Sequence, residues 1–143
     1  EAMDLLKHSD GASIVNIGSR SGLIARPDRM AYAAAKTAAV SLTKSVAIYC
    51  AERGYKVRCN ILLPSTILTE MWDPVLGKQD QFDEKRYQEI ANRIPLKRFG
   101  LAEEVAKSIL FLASDDSSYI TGTEIIIDGG AQALDVLRGQ TGV

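Results

Sequence analysis

Three apolar runs along the chain predict the strands of a parallel β-sheet. They cover residues 12–17, 56–63 and 123–127, and turn-forming Gly or Pro residues border each of them. Short runs rich in Ile, Val and Leu are typical of strands that are buried on both faces. Because a longer segment separates each run from the next, the pattern predicts an α/β fold with helices between the strands.

Helical patterns occupy the segments around these runs. Residues 1–9 are typical of a helix end that Asp10-Gly11 stops, residues 29–53 are rich in Ala, Leu and Lys without a Pro, and residues 102–113 begin with acidic residues. Bulky apolar residues at helical spacing within 29–53 are Val40, Leu42, Val46 and Ile48. Those expected to face the sheet from 102–113 are Val105, Ile109, Leu110 and Leu112.

Composition and charge narrow the class of protein. The 143 residues are 46% hydrophobic and 24% charged, as is usual in globular domains. A net charge of −1 provides no field that would attract nucleic acid or an anionic membrane, and no apolar run approaches a membrane span. The two cysteines and one histidine follow no metal-site or disulfide pattern, so we expect no metal and a reduced, cytoplasmic setting.

Tyr32 and Lys36 are the first candidates for chemistry. They are four residues apart in the predicted helix 29–53, so both side chains lie on one helix face, about one turn apart. A free phenol exchanges protons poorly near neutral pH, but a nearby ammonium and the positive end of a helix dipole both stabilise a phenolate. The pair is therefore a candidate acid/base. The alternative is an exposed helix start with a solvated lysine.

Ser19 is the candidate that would act beside this pair. It follows the run 12–17 and Gly18, at a strand end, where open α/β sheets place ligands. A serine hydroxyl held there could polarise the oxygen of a reacting carbonyl or alcohol. Ser21 is the competing candidate in the same loop.

Taken together, these segments resemble the short-chain dehydrogenase/reductase family, and the resemblance covers essentially the whole chain. Ser19 precedes Tyr32 by thirteen residues, which is the family's spacing and favours Ser19 over Ser21. Gly18 occupies a position where many relatives have Ser. The matching segments are residues 14–22, the Tyr-Ala-Ala-Ala-Lys of 32–36, and residues 57–69, 94–100 and 119–130.

The resemblance implies a fold and a mechanism. The fold would be the C-terminal portion of a doubly wound, parallel-sheet Rossmann fold with three strands and flanking helices. The activity would be that of an NAD- or NADP-dependent oxidoreductase that interconverts a secondary alcohol and a ketone by hydride transfer. Tyr32 would be the general acid/base, Lys36 would support it and hold the nicotinamide ribose, and Ser19 would position the substrate oxygen.

The segment after the second predicted strand resembles the family's nicotinamide loop. Ser65 departs from the family, in which Gly follows the Pro of this loop. We expect Ser65 to stand where a close approach or a positive φ would favour glycine. The cofactor-binding residues that the resemblance implies are Tyr32, Lys36, Pro64, Ser65, Ile67 and Thr69.

Residues 68–100 are the most irregular part of the chain, and in the family the equivalent region is a lid over the substrate. A charged run, 83–89, is typical of a solvated helical face. Met71 and Trp72 are the substrate-contacting candidates of this region, in addition to Ser19 and Tyr32. The alternative for Trp72 is a core anchor.

The family also implies a first half that these residues do not contain. Its members begin with a strand and a Gly-rich turn that holds the dinucleotide phosphates, and no such turn opens this chain. We therefore expect residues 1–143 to be the C-terminal catalytic and substrate-binding part of one Rossmann domain, preceded by roughly a hundred residues. Strand 12–17 would have an open edge, so we expect the isolated chain to be poorly stable or completed by its upstream half.

The resemblance also implies partners. The substrate would be a small alcohol or ketone, and the protein would be a homo-oligomer, a dimer or a tetramer, that assembles through helix 29–53 and the C-terminal strand region. Residues 45–60 are slightly more similar to hydroxysteroid and secondary-alcohol relatives than to others. Two alternatives stay open: a family member that has lost catalysis and serves as a binding or scaffold subunit, and an epimerase or dehydratase that uses the same cofactor.

Overall fold

The computed structural model describes residues 2–133, and the three predicted strands and two long predicted helices agree with it to within one residue at each end. The first helix is shorter than predicted: it ends at Leu6, whereas the sequence predicted an end near Ser9. In chain order the elements are α1 (Ala2–Leu6), β1 (Ala12–Ile17), α2 (Met30–Glu52), β2 (Val57–Pro64), β3 (Ile67–Leu68), α3 (Asp73–Leu76), α4 (Glu84–Ala91), β4 (Gly100–Leu101), α5 (Ala102–Ala113) and β5 (Glu124–Ile127).

The main sheet contains β1, β2 and β5, in that order, and both pairs of neighbours are parallel. Ile17 pairs with Leu62, and Pro64 pairs with Ile127, so the carboxyl ends of the three strands lie along one edge of the sheet. Within the described residues β1 is an edge strand. The predicted α/β fold with three parallel strands is confirmed.

Helices cover both faces of this sheet. On one face the Asn16 amide donates to the Thr43 hydroxyl of α2 at 2.8 Å, and Val40 of α2 packs against buried side chains of β2. On the other face the hydroxyl of Ser13 and the guanidinium of Arg58 both donate to the Leu112 carbonyl, at the end of α5. The alternation of side chains along each strand therefore separates the contacts made with α2 from those made with α5.

Three bulky apolar side chains of the long helices lie on the surface. Leu110 is 70% exposed, so its predicted packing against the sheet was wrong. Leu42 and Ile48 of α2 are 61% and 57% exposed. The buried residues of α2 recur every three or four positions and leave Leu42 and Ile48 on the opposite face. These buried residues are Val40, Thr43, Ala47 and Cys50.

The region 68–100 has a small core of its own. Phe99 is buried, and the Trp72 ring packs edge-on against it with ring centroids 5.0 Å apart, while the Tyr87 ring stacks on it at 4.7 Å. The predicted charged run becomes α4, which begins after Asp83 because the Asp83 carboxylate accepts a hydrogen bond from the Arg86 amide at 2.8 Å. A parallel pair of two-residue strands, β3 and β4, joins the two ends of the region.

Cys50 and Cys59 are free, buried thiols. Burial raises the pKa of Cys59 to about 11, so this thiol is unreactive at neutral pH.

Among residues 2–133, no helix is both long and apolar enough to cross a membrane.

Candidate active site

Ser19 lies at the carboxyl end of β1 and begins the short 3-10 turn Arg20–Gly22. Its backbone is extended, and its hydroxyl accepts a hydrogen bond from the Ser21 amide at 3.1 Å. A serine suits this position because its side chain satisfies an amide that the turn leaves without a partner. The contact orients the half-buried Ser19 hydroxyl, and Ser21 takes part through its backbone.

Tyr32 and Lys36 lie in the first two turns of α2, as the sequence predicts. The Lys36 ammonium is 5.6 Å from the centroid of the Tyr32 ring and donates a hydrogen bond of 3.1 Å to the Ile17 carbonyl. Tyr32 is 41% exposed, so a ligand can reach it. Since Ile17 is two residues before Ser19, the Lys36 contact joins the helix that carries the Tyr–Lys pair to the strand that carries the serine.

Gly22 is a part of this site that the sequence analysis did not single out. A Cβ at this position would lie 2.9 Å from the carbonyl carbon and oxygen of Lys36, so only glycine allows the 3-10 turn to lie directly on α2. The Thr37 hydroxyl donates to the Gly22 carbonyl at 2.9 Å and holds the turn there. A glycine three residues after a strand-end serine was the available signal.

The predicted nicotinamide loop follows β2 at the same edge of the sheet. The Ser65 amide donates to the Ile127 carbonyl at 2.9 Å, so the loop is tied to the end of β5. Ile67 lies in β3, and Thr69 is exposed at the start of the 3-10 turn Glu70–Trp72. Pro64 is the last residue of β2.

The backbone constraint in this loop falls on Thr66 and not on Ser65. Thr66 has a φ of +52°, whereas Ser65 is outside the positive-φ region, so a positive φ at Ser65 is contradicted and a close approach of a ligand to Ser65 stays a prediction. A β-branched residue at positive φ is strained, and such strain is found most often near functional sites. The Thr66 carbonyl accepts from the Gly100 amide at 3.1 Å, which holds the conformation in place.

An ion pair between Arg98 and Glu104 lies beside this loop. The two terminal nitrogens of Arg98 donate to the two carboxylate oxygens of Glu104 at 2.8 and 2.6 Å, and the Leu101 amide donates to Glu104 at 2.8 Å. The Arg98 bonds, and then the Leu101 amide, lower the pKa of Glu104 to about 2. Arg98, Glu104, Ser65 and Thr66 line a small cavity of about 100 Å³.

The two substrate-contacting candidates of the irregular region have different surroundings. Trp72 lines a cavity of about 800 Å³ together with Thr69 and Phe82, while its ring also packs on Phe99. Both interpretations of Trp72, a pocket wall and a core anchor, are therefore compatible with its position. Met71 is 79% exposed and is not among the residues that line this cavity.

Comparison with known proteins places the chain in a family. The profile of a family described as Enoyl-(Acyl carrier protein) reductase matches residues 1–132. The chain belongs to the short-chain dehydrogenase/reductase family. Among its relatives is the uncharacterized oxidoreductase YxbG of Bacillus subtilis, which is 44% identical over 125 residues, or 87% of this chain and 45% of the relative. The 3-oxoacyl-[acyl-carrier-protein] reductase FabG of Thermotoga maritima is 43% identical over 88% of this chain and 47% of the relative.

Solved structures of the short-chain dehydrogenase/reductase family have the same fold. The aldohexose dehydrogenase of Thermoplasma acidophilum superimposes with a TM-score of 0.83 at 34% identity, over 94% of this chain and 53% of that one. A 4-hydroxyisoleucine dehydrogenase complexed with NADH gives 0.76 at 34% identity, over 86% and 48%. ElxO with NADP bound gives 0.80 at 32% identity, over 93% and 51%. This chain therefore spans about half the length of the relatives and structures that it matches.

Proposed function

We propose that the protein containing this chain is a nicotinamide-dependent oxidoreductase that interconverts a secondary alcohol and a ketone. The observation that carries the proposal is the arrangement of Ser19, Tyr32 and Lys36 at one edge of the sheet, with Lys36 in contact with both the Tyr32 ring and the end of β1. Residues 1–143 would be the C-terminal catalytic and substrate-binding part of one Rossmann domain. Family membership supports the same reaction class.

In this proposal the residues of the chain transfer a proton and stabilise the charge on the substrate oxygen. The Tyr32 hydroxyl gives a proton to the ketone oxygen in reduction and takes it from the alcohol in oxidation. The positive charge of Lys36 stabilises the phenolate form that this exchange requires. The Ser19 hydroxyl donates a hydrogen bond to the same substrate oxygen and stabilises the charge that develops on it.

The donor groups at this edge fit the nicotinamide end of a dinucleotide, NAD or NADP, which supplies or accepts the hydride when bound. Lys36 has three N–H donors, and the Ile17 carbonyl takes one, so the ammonium can also bind ribose hydroxyls. The loop of Pro64, Ser65, Ile67 and Thr69 offers hydroxyl and backbone groups to a carboxamide. The neighbours with NADH and with NADP support the cofactor class and leave the choice between the two open.

We also propose that the protein is a homo-oligomer, a dimer or a tetramer. Leu42, Ile48 and Tyr49 give α2 an exposed apolar face, although the helix lies against its own sheet on the other side. Ile126 of β5 is also exposed, and it lies on the face of the sheet that α2 covers, because Glu124, two residues earlier in the strand, pairs with Lys44 of α2. Exposed apolar residues grouped in this way favour association over full solvation.

A substitution at Tyr32 tests the proposed reaction. In the full-length protein Tyr32→Phe should lower kcat by about 10³-fold or more, because it removes the group that exchanges the proton and keeps the ring. The dissociation constants of NADH and NADPH, measured by fluorescence titration, should change by less than about threefold. Tyr49→Phe removes a hydroxyl from the other end of the same helix and is the matched control.

The outcomes separate the alternatives. Turnover by Tyr32→Phe close to that of the parent would remove Tyr32 from the mechanism. Coenzyme binding without turnover by the parent, across alcohols and ketones that include steroids, sugars and acyl thioesters, would favour a binding or scaffold subunit. Saturable binding of one coenzyme only would identify the cofactor.

A further inference from the structure

The ion pair between Arg98 and Glu104 joins two segments of the chain beside the predicted nicotinamide loop. Arg98 precedes β4, and Glu104 lies in the first turn of α5. Two nitrogens of Arg98 donate to the two carboxylate oxygens at 2.8 and 2.6 Å, and the Leu101 amide of β4 donates to the same carboxylate. Because three donors hold this carboxylate, its orientation is fixed more firmly than in an ordinary exposed ion pair.

The helix that carries Glu104 is itself anchored to the main sheet. The Ser13 hydroxyl of β1 and the Arg58 guanidinium of β2 both donate to the Leu112 carbonyl, at the end of α5. The Glu104 side chain therefore extends from a helix whose position the sheet determines. The groups that bind its carboxylate are held in place relative to the sheet.

The strand β4 in turn holds the loop after β2. The Gly100 amide donates to the Thr66 carbonyl at 3.1 Å, and β4 pairs with β3, which contains Ile67. At its other end the loop is tied to β5, because the Ser65 amide donates to the Ile127 carbonyl at 2.9 Å. Thr66 therefore lies between a contact with the main sheet and a contact with β4.

Backbone strain is concentrated where these segments meet. Within residues 2–133, Thr66 and Lys97 are the two residues other than glycine that have a positive φ, +52° and +56°. Lys97 directly precedes Arg98, and Thr66 lines one small cavity together with Arg98 and Glu104. Such conformations persist only where the surrounding contacts fix them, and they occur most often at functional sites. The ion pair therefore lies where both strained residues require support.

We propose that Arg98 and Glu104 are positioning residues for the coenzyme: their ion pair holds β4, and β4 holds Thr66 and β3 in the conformation that receives the nicotinamide. This rests on the proposed function, because that function requires a nicotinamide coenzyme. Without the ion pair, the loop has this conformation in only a fraction of the molecules, and the apparent affinity for the coenzyme falls by that fraction. Loss of a charge-assisted hydrogen bond changes such an equilibrium by about tenfold or more.

Coenzyme titration of the full-length protein tests this role. Arg98→Met should raise the dissociation constant of NADH or NADPH, whichever the parent binds, by about tenfold. At saturating coenzyme kcat should change by less than about threefold, because the loop conformation in the complex is the same. Arg98→Lys should give an intermediate rise, because lysine keeps the charge but does not reproduce the two parallel hydrogen bonds.

Arg86→Met is the matched control. Arg86 pairs with Glu89 at 3.0 Å, and the side chains of this pair are about as exposed as those of Arg98 and Glu104, but the pair lies on α4. Since an exposed pair on a helix surface holds no loop, the dissociation constant of the coenzyme should stay within about threefold of the parent value.

A second substitution separates positioning from a general loss of stability. Asparagine adopts a positive φ more readily than threonine, so Thr66→Asn requires less support from β4. Adding Thr66→Asn to Arg98→Met should therefore lower the dissociation constant again, by at least about threefold. An ion pair with a purely structural role would give the double variant no tighter binding than Arg98→Met.

Amide hydrogen exchange measures the contact in the absence of coenzyme. Exchange of the Gly100 amide should accelerate by at least about tenfold in Arg98→Met, because its hydrogen bond to the Thr66 carbonyl opens more often. The Gly122 amide donates to the Cys59 carbonyl of β2 at 2.8 Å and should keep its exchange rate.

The inference is overturned if Arg98→Met binds the coenzyme as tightly as Arg86→Met, if Thr66→Asn restores no affinity, or if the Gly100 amide exchanges at the parent rate. Failure of the proposed function has different signatures. A parent that binds neither coenzyme would overturn the proposed function and this coenzyme role together. Turnover by Tyr32→Phe close to that of the parent would overturn the reaction mechanism alone.

Discussion

Arg58 should be one of the strongest single contributors to the stability of this fold. It lies on β2, and its guanidinium donates three hydrogen bonds to the carboxyl end of α5 and the turn beyond it. The acceptors are the Leu112 carbonyl at 2.9 Å, the Ser117 hydroxyl at 2.8 Å and the Ser114 carbonyl at 2.9 Å. The positive charge also lies at the negative end of the α5 dipole. Arg58→Met keeps an unbranched apolar stem and removes all of these interactions.

The expected loss is about 3 kcal/mol. One hydrogen bond to a charged donor contributes about 1.5–3 kcal/mol net, and three independent bonds would exceed that. The sum is smaller here because the acceptors keep other partners: the Leu112 carbonyl accepts from Ser13 at 2.7 Å, and the Ser114 carbonyl accepts from Ser117 at 3.1 Å. No carbonyl is left without a hydrogen bond, so no further desolvation penalty is added.

Urea unfolding of the full-length protein measures this loss. Arg58→Met should move the midpoint to lower urea with an unchanged slope, and Arg58→Lys should lose about 1–2 kcal/mol, because one ammonium cannot span three acceptors. Lys56→Met is the control, since Lys56 pairs with Asp10 at 3.2 Å on the surface and such pairs contribute about 0–1 kcal/mol. If Arg58→Met and Lys56→Met lose the same free energy, the Arg58 network does not stabilise α5.

Two further predictions concern the loop after β2. The folded-state pKa of Glu104, about 2, is below its usual value of 4.5, so this group stabilises the fold above about pH 4.5 and the contribution disappears as the pH falls through about 2. In urea unfolding, the stability difference between the parent and Glu104→Gln should therefore shrink from pH 6 to pH 2. A difference that stays constant with pH would contradict the assignment. Thr66→Gly should raise the free energy of unfolding by about 0.5–1 kcal/mol, because it relieves a positive φ of 52°. Thr69→Gly is the control and should lower the free energy of unfolding, because Thr69 has an extended φ of −150°. A lower free energy of unfolding for both variants would show that Thr66 is not strained.

Much of the fold could be predicted from the chain because its signals are local. The buried strands show as apolar runs, and α2 shows as a long segment without Pro that ends before Gly54. Tyr32 and Lys36 could be paired because four residues make about one helical turn, whatever the rest of the chain does. The family resemblance rests on the same local segments and their order.

Sequence reasoning failed, or left alternatives open, where a local pattern of residues is compatible with more than one three-dimensional arrangement. Leu110 is apolar and lies in a helix, but the side of the helix that is buried depends on where the sheet lies, and Leu110 is on the outer side. The β3–β4 pair joins residues 67 and 100, and its two-residue strands are too short to give a periodic signal. The sequence left two alternatives for Trp72, a pocket wall and a core anchor, and in the structure its ring both lines the cavity and packs on Phe99.

The sequence by itself determined the fold class, the strands and helices, and the chemical identity of the candidate site, because periodicity and residue type act over a few neighbouring positions. Only the tertiary structure decided how these elements meet. It placed the positive φ on Thr66 rather than Ser65, brought Lys36 to the carbonyl of Ile17, and filled the space beside Gly18 with Leu63. Each of these contacts joins residues that are distant in sequence or depends on the exact path of a loop, and packing in three dimensions selects among conformations that local preferences leave nearly equal.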